Sequence, residues 1–358
     1  MKRPYRLLLV LGLILAGVIA WWALPHAEPA YQGKPLSRWI AEIKAGPFGT
    51  PPRYGPSPDQ FEALRAMGLE ALPLLLDSVR PVNYEPWWSS TYRRAYSALP
   101  LAWRRHLPAP LDLSAELAFQ GLVARQCDEL WPESGPLLIK TLRHPRAEVR
   151  VTAALALRPR TNRPPEVLNA LTNSLTDPDS EVRLYGVVAI ASFGARASNA
   201  VPVIVDNLLS RNRPAHFRPS ENEQACAAMT LGKIGPGAVM AVPVLQAGAA
   251  QRTNTYFRVT SAIALWEIRH QVPDALPALM QEFRGSFDPL KPMILDCLGE
   301  MGAQAAEAVP GILGLLASTP NPNDFEDDLS RQKARAALLK IAPDVANKWE
   351  HKAEKQEP

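Results

Sequence analysis

A repeat of about 33 residues runs through this chain and limits what it can fold into. Pro136, Asn169, Pro202, Pro243, Pro277 and Pro310 stand 33, 33, 41, 34 and 33 residues apart. Arg150, Arg183, Gln224, Arg258, Lys291 and Arg331 keep the same time, each seven residues before Leu157, Ile190, Leu231, Leu265, Leu298 or Leu338. A unit this short cannot bury its apolar face alone, so the units must stack on one another as a helical-repeat array. Arrays of this kind present long surfaces that bind more often than they catalyse. The 36 prolines suit such a chain. Every unit needs helix starts and stops, where proline occupies the first turn or follows the end.

Each unit reads as two antiparallel helices. The first is clearest over residues 167–180, where Leu168, Leu171 and Leu175 fall at helical spacing. Pro178 breaks it, and Asp179 or Ser180 can cap a second helix whose Val187, Ile190 and Ala191 face inward. Residues 144–150 repeat that turn one period earlier. The second helix ends in Ile234-Gly235-Pro236-Gly237-Ala238, with copies at Phe193-Gly194-Ala195 and Met301-Gly302-Ala303. Glycine there is expected to supply a left-handed C-terminal cap.

The Val182-Arg183 pair after the turn, the alanine-rich second helix and the Leu-Gly-x-Ile-Gly-Pro ending at 231–236 resemble HEAT repeats of the armadillo-like class. The closest likeness is to the short bacterial form also found in phycobilisome lyase-like proteins. It spans residues 59–346 as about seven repeats, clearest over 131–346. The resemblance implies an all-α, right-handed α-solenoid of helical hairpins. Residues 31–39, Tyr-Gln-Gly-Lys-Pro-Leu-Ser-Arg-Trp, are similar to the entry segment of membrane-tethered bacterial HEAT proteins.

Residues 7–24 form an uncharged, mostly apolar run of 18 behind a basic tail, residues 1–6, that holds Lys2, Arg3 and Arg6. As a helix the run rises about 27 Å, close to the hydrocarbon thickness of a bilayer. The basic flank assigns the N-terminus to the cytoplasm and the repeats to the far side of the cytoplasmic membrane. A cleaved signal peptide ending at Ala27, which would leave a secreted protein, is the alternative. Residues 25–58 are then a linker with one short helix, and residues 347–358 a charged tail. The tail at the N-terminus accounts for most of the net charge of +4, and the near-neutral remainder argues against nucleic-acid binding. Cys127, Cys226 and Cys297 are too dispersed for a disulfide framework or a metal site, so they are read as buried apolar residues.

Three longer connections, near residues 81–90, 210–220 and 318–328, fall at the same place in their units and so on one edge of the array. Insertions confined to one edge mark either a binding rim or tolerated loops. Residues 84–106 are rich in aromatic and basic side chains, which either stack on bases, sugars or a partner's side chains or fill the irregular join between units near residue 110 with the arginines facing water. The candidate partner-binding residues are therefore Trp87, Trp88, Tyr92, Arg93, Trp103, Arg104, Arg105, His216, Phe217, Arg218 and Phe325. The series Arg150, Arg183, Arg258, Lys291 and Arg331 is expected to be structural, its stems packed between units and its heads paired with turn acids or carbonyls. No catalytic constellation, cofactor motif or metal-ligand spacing is present in the sequence. The expected function is a non-catalytic, membrane-tethered scaffold that docks protein partners outside the cytoplasm. The resemblance leaves a lyase-like or DNA-glycosylase-like enzyme as an alternative, and the aromatic patch leaves a glycan or cell-wall binder.

Overall fold

The computed structural model describes residues 28–45, 57–80, 113–158, 163–210, 217–285, 288–318 and 325–354. The chain divides into two compact units, residues 1–134 and 135–358. Apart from one two-residue hairpin, the regular structure of the described residues is helical.

The first unit opens with that hairpin, β1 (Ala30–Tyr31) against β2 (Lys34–Pro35). Gln32 and Gly33, at φ 52° and 76°, make its turn. Positive φ at both central residues gives the twist that a two-residue hairpin needs. Helix α1 (Leu36–Ala45) buries Leu36, Ile40 and Ile43, one face at i, i+4 and i+7 spacing. Helix α2 (Pro58–Asp77) starts from a Ser57–Gln60 capping box and breaks at Gly68, where φ is 56° and ψ −137°. Pro73 therefore opens the first turn of a second segment and does not interrupt a continuous helix. Helix α3 (Leu113–Glu129) packs on α1 and α2. The Lys44 ammonium joins all three: it donates to both Glu116 carboxylate oxygens at 3.0 Å and to the Ser78 carbonyl at 2.5 Å.

The second unit is a run of helical hairpins. Its elements are α4 (Gly135–Thr141), α5 (Ala147–Leu157), α6 (Pro165–Ser174), α7 (Ser180–Ala191), α8 (Val201–Ile204, extended by a π turn, Val205–Leu209), α9 (Glu221–Ile234), α10 (Val242–Ala249), α11 (Thr255–Arg269), α12 (Val272–Phe283), α13 (Lys291–Met301), α14 (Val309–Ala317), α15 (Phe325–Ile341) and α16 (Pro343–Glu354). The second helices α5, α7, α9 and α11 pack side by side, as do α13 and α15. Missing side chains let them approach. A Cβ on Gly232 of α9 would stand 3.0 Å from the Ala264 Cα of α11, and one on Gly299 of α13 3.2 Å from the Ala337 Cα of α15. On the other side of α9, the Thr230 hydroxyl crosses to α7 and donates to the Val187 carbonyl at 3.0 Å.

In the helix and turn over residues 167–180 the helix ends at Ser174, and of the two capping candidates Asp179 caps α7, accepting from the Glu181 and Val182 amides. Other sequence expectations need correction. The stop glycines are not left-handed caps. Gly235 and Gly302 lie at φ 72°, ψ −142° and φ 59°, ψ −139°, a region with positive φ but extended ψ that side chains other than hydrogen avoid. Gly194, at φ 54°, begins the same construction. Each glycine opens a seven-residue 3-10 turn (Gly194–Ala200, Gly235–Ala241, Gly302–Ala308) that buries two alanines and runs into a Val-Pro start of the next helix. The residue that does adopt the left-handed conformation is His270, at φ 51°, ψ 36°, closing α11. Residues 347–354, read above as part of a charged tail, belong to α16; Trp349 packs on the core there and lies under the Arg335 guanidinium, 5.4 Å away.

The apolar run 7–24 lies outside the described residues. Among those described, the stretch long and apolar enough to span a bilayer is Glu221–Ala249, but 50% of its most apolar window is buried and Gly235 bends it into α9 and α10. It is a core hairpin of the second unit.

The backbone of Gly235 gives a test free of packing effects, since the nearest atom to an added Cβ is 4.0 Å away. Gly235→Ala and Gly302→Ala should each cost about 1–3 kcal/mol through backbone strain alone. Gly314→Ala, in an exposed part of α14 with nothing near its Cβ, should gain about 0.5–1 kcal/mol from helix propensity. Urea unfolding of the three variants measures both signs, and equal effects at Gly235 and Gly314 would refute the assignment of strain.

Candidate functional site

The basic series lies at the turn edge of the second unit, where the guanidinium groups of Arg150, Arg183 and Arg258 reach into the following hairpin. Arg150 grips Asp177 with two parallel bonds, Nε to Oδ2 at 2.8 Å and Nη2 to Oδ1 at 2.7 Å, and also donates to the His144 carbonyl at 2.8 Å. Arg183 donates to the Asp177 carbonyl at 2.8 Å and to Glu223 Oε1 at 2.7 Å. Glu223 in turn closes the capping box of α9, its Oε2 accepting from the Ser220 amide at 2.7 Å. Arg258 donates to the Gln251 carbonyl at 2.9 Å and pairs with Glu282. At Gln224 the ion pair is replaced by a neutral, long contact from Asn254, the cap of α11, at 3.5 Å. Arg331, in α15, turns back on its own chain and binds Asp327 at 3.0 Å and the Ser318 carbonyl at 2.9 Å. These polar heads are thus engaged in holding one hairpin to the next.

The candidate partner residues are distributed unevenly over the structure. Phe217 stacks on the Arg183 guanidinium, 5.3 Å from its ring centre, so it caps the ladder and is only half-buried. Arg218 beside it is exposed. Phe325 begins α15. Trp87, Trp88, Tyr92, Arg93, Trp103, Arg104, Arg105 and His216 lie outside the described residues.

Sequence reasoning missed a surface that the same register defines. Five residues after each member of the series from Arg183 to Arg331 come Val188, Met229, Ile263, Asp296 and Ala336, and nine after come Ser192, Lys233, Glu267, Glu300 and Lys340. None of these ten is buried, and the spacing puts both rows on one face of successive second helices. Ion pairs run across this face from helix to helix, Lys233 to Glu267 at 2.5 Å and Lys333 to Asp296 at 2.8 Å. The Glu267 bond and, less strongly, the Glu300 charge hold the Lys233 ammonium above the usual lysine range. Toward α7 and α9 the strip is apolar, with Val188 and exposed Met229 near Tyr185 and Cys226. Burial raises the pKa of all three cysteine thiols, that of Cys127 to about 12, so these groups pack and do not ionise near neutral pH.

A second concavity of about 670 Å³ opens between α4 and α6, beside the Arg150–Asp177 pair. Ile139, Leu142 and Ala170 give it an apolar wall; Arg143, His144, Glu166, Asn169 and Asn173 give it a polar rim. His144 accepts the Arg146 amide on Nδ1 at 3.2 Å, which leaves the proton of the neutral ring on Nε2. The signal for this site was in the sequence, since Asn169 and Asn173 are polar at i, i+4 on the side of α6 opposite Val167, Leu168 and Leu171.

The buried pair Arg183–Glu223, with side chains 3% and 1% exposed, is the strongest test of the ladder. Arg183→Ala should lower stability by about 3–5 kcal/mol because it strands a buried carboxylate. Arg183→Met combined with Glu223→Leu should recover most of that loss. The displacement of the urea transition of the full chain reads both, and a loss under about 1 kcal/mol for the single variant would show the pair to be dispensable.

The family model for HEAT repeats matches residues 135–215, which spans the first hairpins of the second unit. No curated protein matches the chain. A solved structure similar to it is the complex of CpcE and CpcF of phycocyanin lyase from Nostoc sp. PCC7120, at 19% identity and a TM-score of 0.42, covering 72% of this chain and 98% of that one. Over residues 135–215, then, the chain is similar to HEAT repeats in sequence and is built of stacked helical hairpins.

Proposed function

We propose that the protein is a non-catalytic docking scaffold, held at the cytoplasmic membrane by residues 7–24 with its repeats outside the cytoplasm. The observation that carries this reading is the strip on the second helices. It runs from apolar side chains at Val188 and Met229 to a mixed-charge row at Lys233, Glu267, Glu300 and Lys340, each row at its own fixed register. A surface graded in this way suits a protein partner that lays a long, partly apolar face along the array. The arginines that could otherwise serve as an anion-binding row are occupied between hairpins. The basic residues before the apolar run support the topology, and tethering raises the effective concentration of the strip near membrane partners.

The test is affinity purification of the full-length protein from its native membranes in mild detergent, followed by mass spectrometry, beside a Met229→Glu variant. A stoichiometric protein partner, present with the wild type and at least tenfold depleted with the variant, is the expected result. Recovery of the protein alone in both cases, or from the soluble fraction, would overturn the reading.

A further inference from the structure

The cleft between α4 and α6 has a feature that the strip lacks: four of its polar side chains face outward without a partner among the described residues. Arg143, Glu166, Asn169 and Asn173 make no side-chain hydrogen bond or ion pair with the described residues, whereas the neighbouring Arg150 and Asp177 neutralise each other at 2.7 Å. Two of the four are opposite charges, and the repeat fixes which end each occupies. Arg143 stands one period before Thr176, so it sits at the C-terminal ends of the paired first helices, while Glu166 lies in the first turn of α6. Ten residues separate Glu166 from Thr176, the level of Arg143, a rise of about 15 Å along the helix direction. The cleft is therefore polarised along its length, positive at the turn end and negative at the other, with carboxamides between and Ile139, Leu142 and Ala170 along the wall.

We infer that this cleft binds an extended peptide segment of a partner protein that carries an acidic and a basic residue four or five positions apart. An extended chain rises about 3.3 Å per residue, so four to five residues cover the roughly 15 Å between the levels of the two charges. Asn169 and Asn173, about 6 Å apart as i, i+4 neighbours, match the spacing of alternate peptide groups, each offering a donor and an acceptor to the backbone. The Arg143 guanidinium takes the acidic side chain and Glu166 the basic one, while small apolar residues between them meet the wall. A concavity of about 670 Å³ is within the size range of specific ligand sites. The inference rests on the docking reading in that its ligand is part of a protein partner, but the site is distinct from the second-helix strip.

The probe is an array of immobilised, N-acetylated octapeptides in which position 2 and either position 6 or position 7 run through all residue pairs and the rest are alanine, serine or valine. The purified full-length chain is applied in detergent at low salt. Peptides with Asp or Glu at one position and Lys or Arg at the other should be enriched at least tenfold over like-charged pairs. Arg143→Glu with Glu166→Lys should keep the enrichment but reverse the order of the two charges along the peptide. Asn169→Ala with Asn173→Ala should weaken all retained peptides without changing that order. These side chains are unpaired among the described residues, so an unchanged thermal melt should accompany each variant. An array with no charge-pair preference, or an order that survives the double charge swap, overturns the inference. The docking reading is untouched by that result, because its membrane partner is scored separately through Met229.

Discussion

The guanidinium of Arg183 is the interaction on which most of the second unit's geometry rests. It leaves α7, donates to the Asp177 carbonyl in the preceding turn and ends on Glu223 in the next hairpin. Arg150 treats the Asp177 side chain in the same way, so one aspartate is held by its carboxylate from one hairpin and by its carbonyl from the following one. Burying such charges is costly unless every donor has an acceptor. That requirement makes the pair selective: a hairpin shifted by one helical turn would leave a carboxylate buried without its cation. The ladder thus fixes register between hairpins more than it adds net stability, and apolar burial of the leucine seven residues further on supplies the cohesion.

How much of this was legible depended on whether the signal was periodic. The 33-residue spacing fixed the hairpins, the second-helix leucines and the position of the arginines, because stacked units must repeat their contacts. Residues 59–80 read from the sequence as a second helix followed by the first helix of the next unit, and the break at Gly68 divides α2 in that way. Only the glycine itself went unnamed, because its stop is abbreviated. It has the backbone of Gly235 and Gly302, but Pro73 follows after five residues, where Pro243 and Pro310 follow their glycines after eight. The helix over 343–354 was missed for a different reason. Its composition is charged, and what anchors it is a tertiary contact, Trp349 under Arg335, that no local pattern encodes. The strip on the second helices needed only a count of five and nine from each arginine. Its residue types change from apolar to charged along the array, so no single motif announced it.

The candidate surfaces divide the faces of the hairpins between them. First helices form the polarised cleft, second helices form the strip, and the turn edge is consumed by the ladder. Of the partner residues suggested by composition, Phe217 proves to be part of the scaffold, stacked on the buried arginine. Aromatic content alone did not distinguish a contact waiting for a partner from one already made within the chain.

The stop glycines carry a consequence for how such a chain can vary. Gly194, Gly235 and Gly302 each stand eight residues before a proline, whereas the distance from the first-helix mark to the basic mark ranges from 14 to 22 residues. One margin of the array is therefore dimensionally constant and the other is elastic, much as a book is bound along its spine and cut freely at the fore-edge. Length can be added at the free margin without altering the angle at which successive hairpins meet, because that angle is set eight residues at a time by a backbone that glycine alone tolerates well. Loops of new size and chemistry can be displayed there on an unchanged frame.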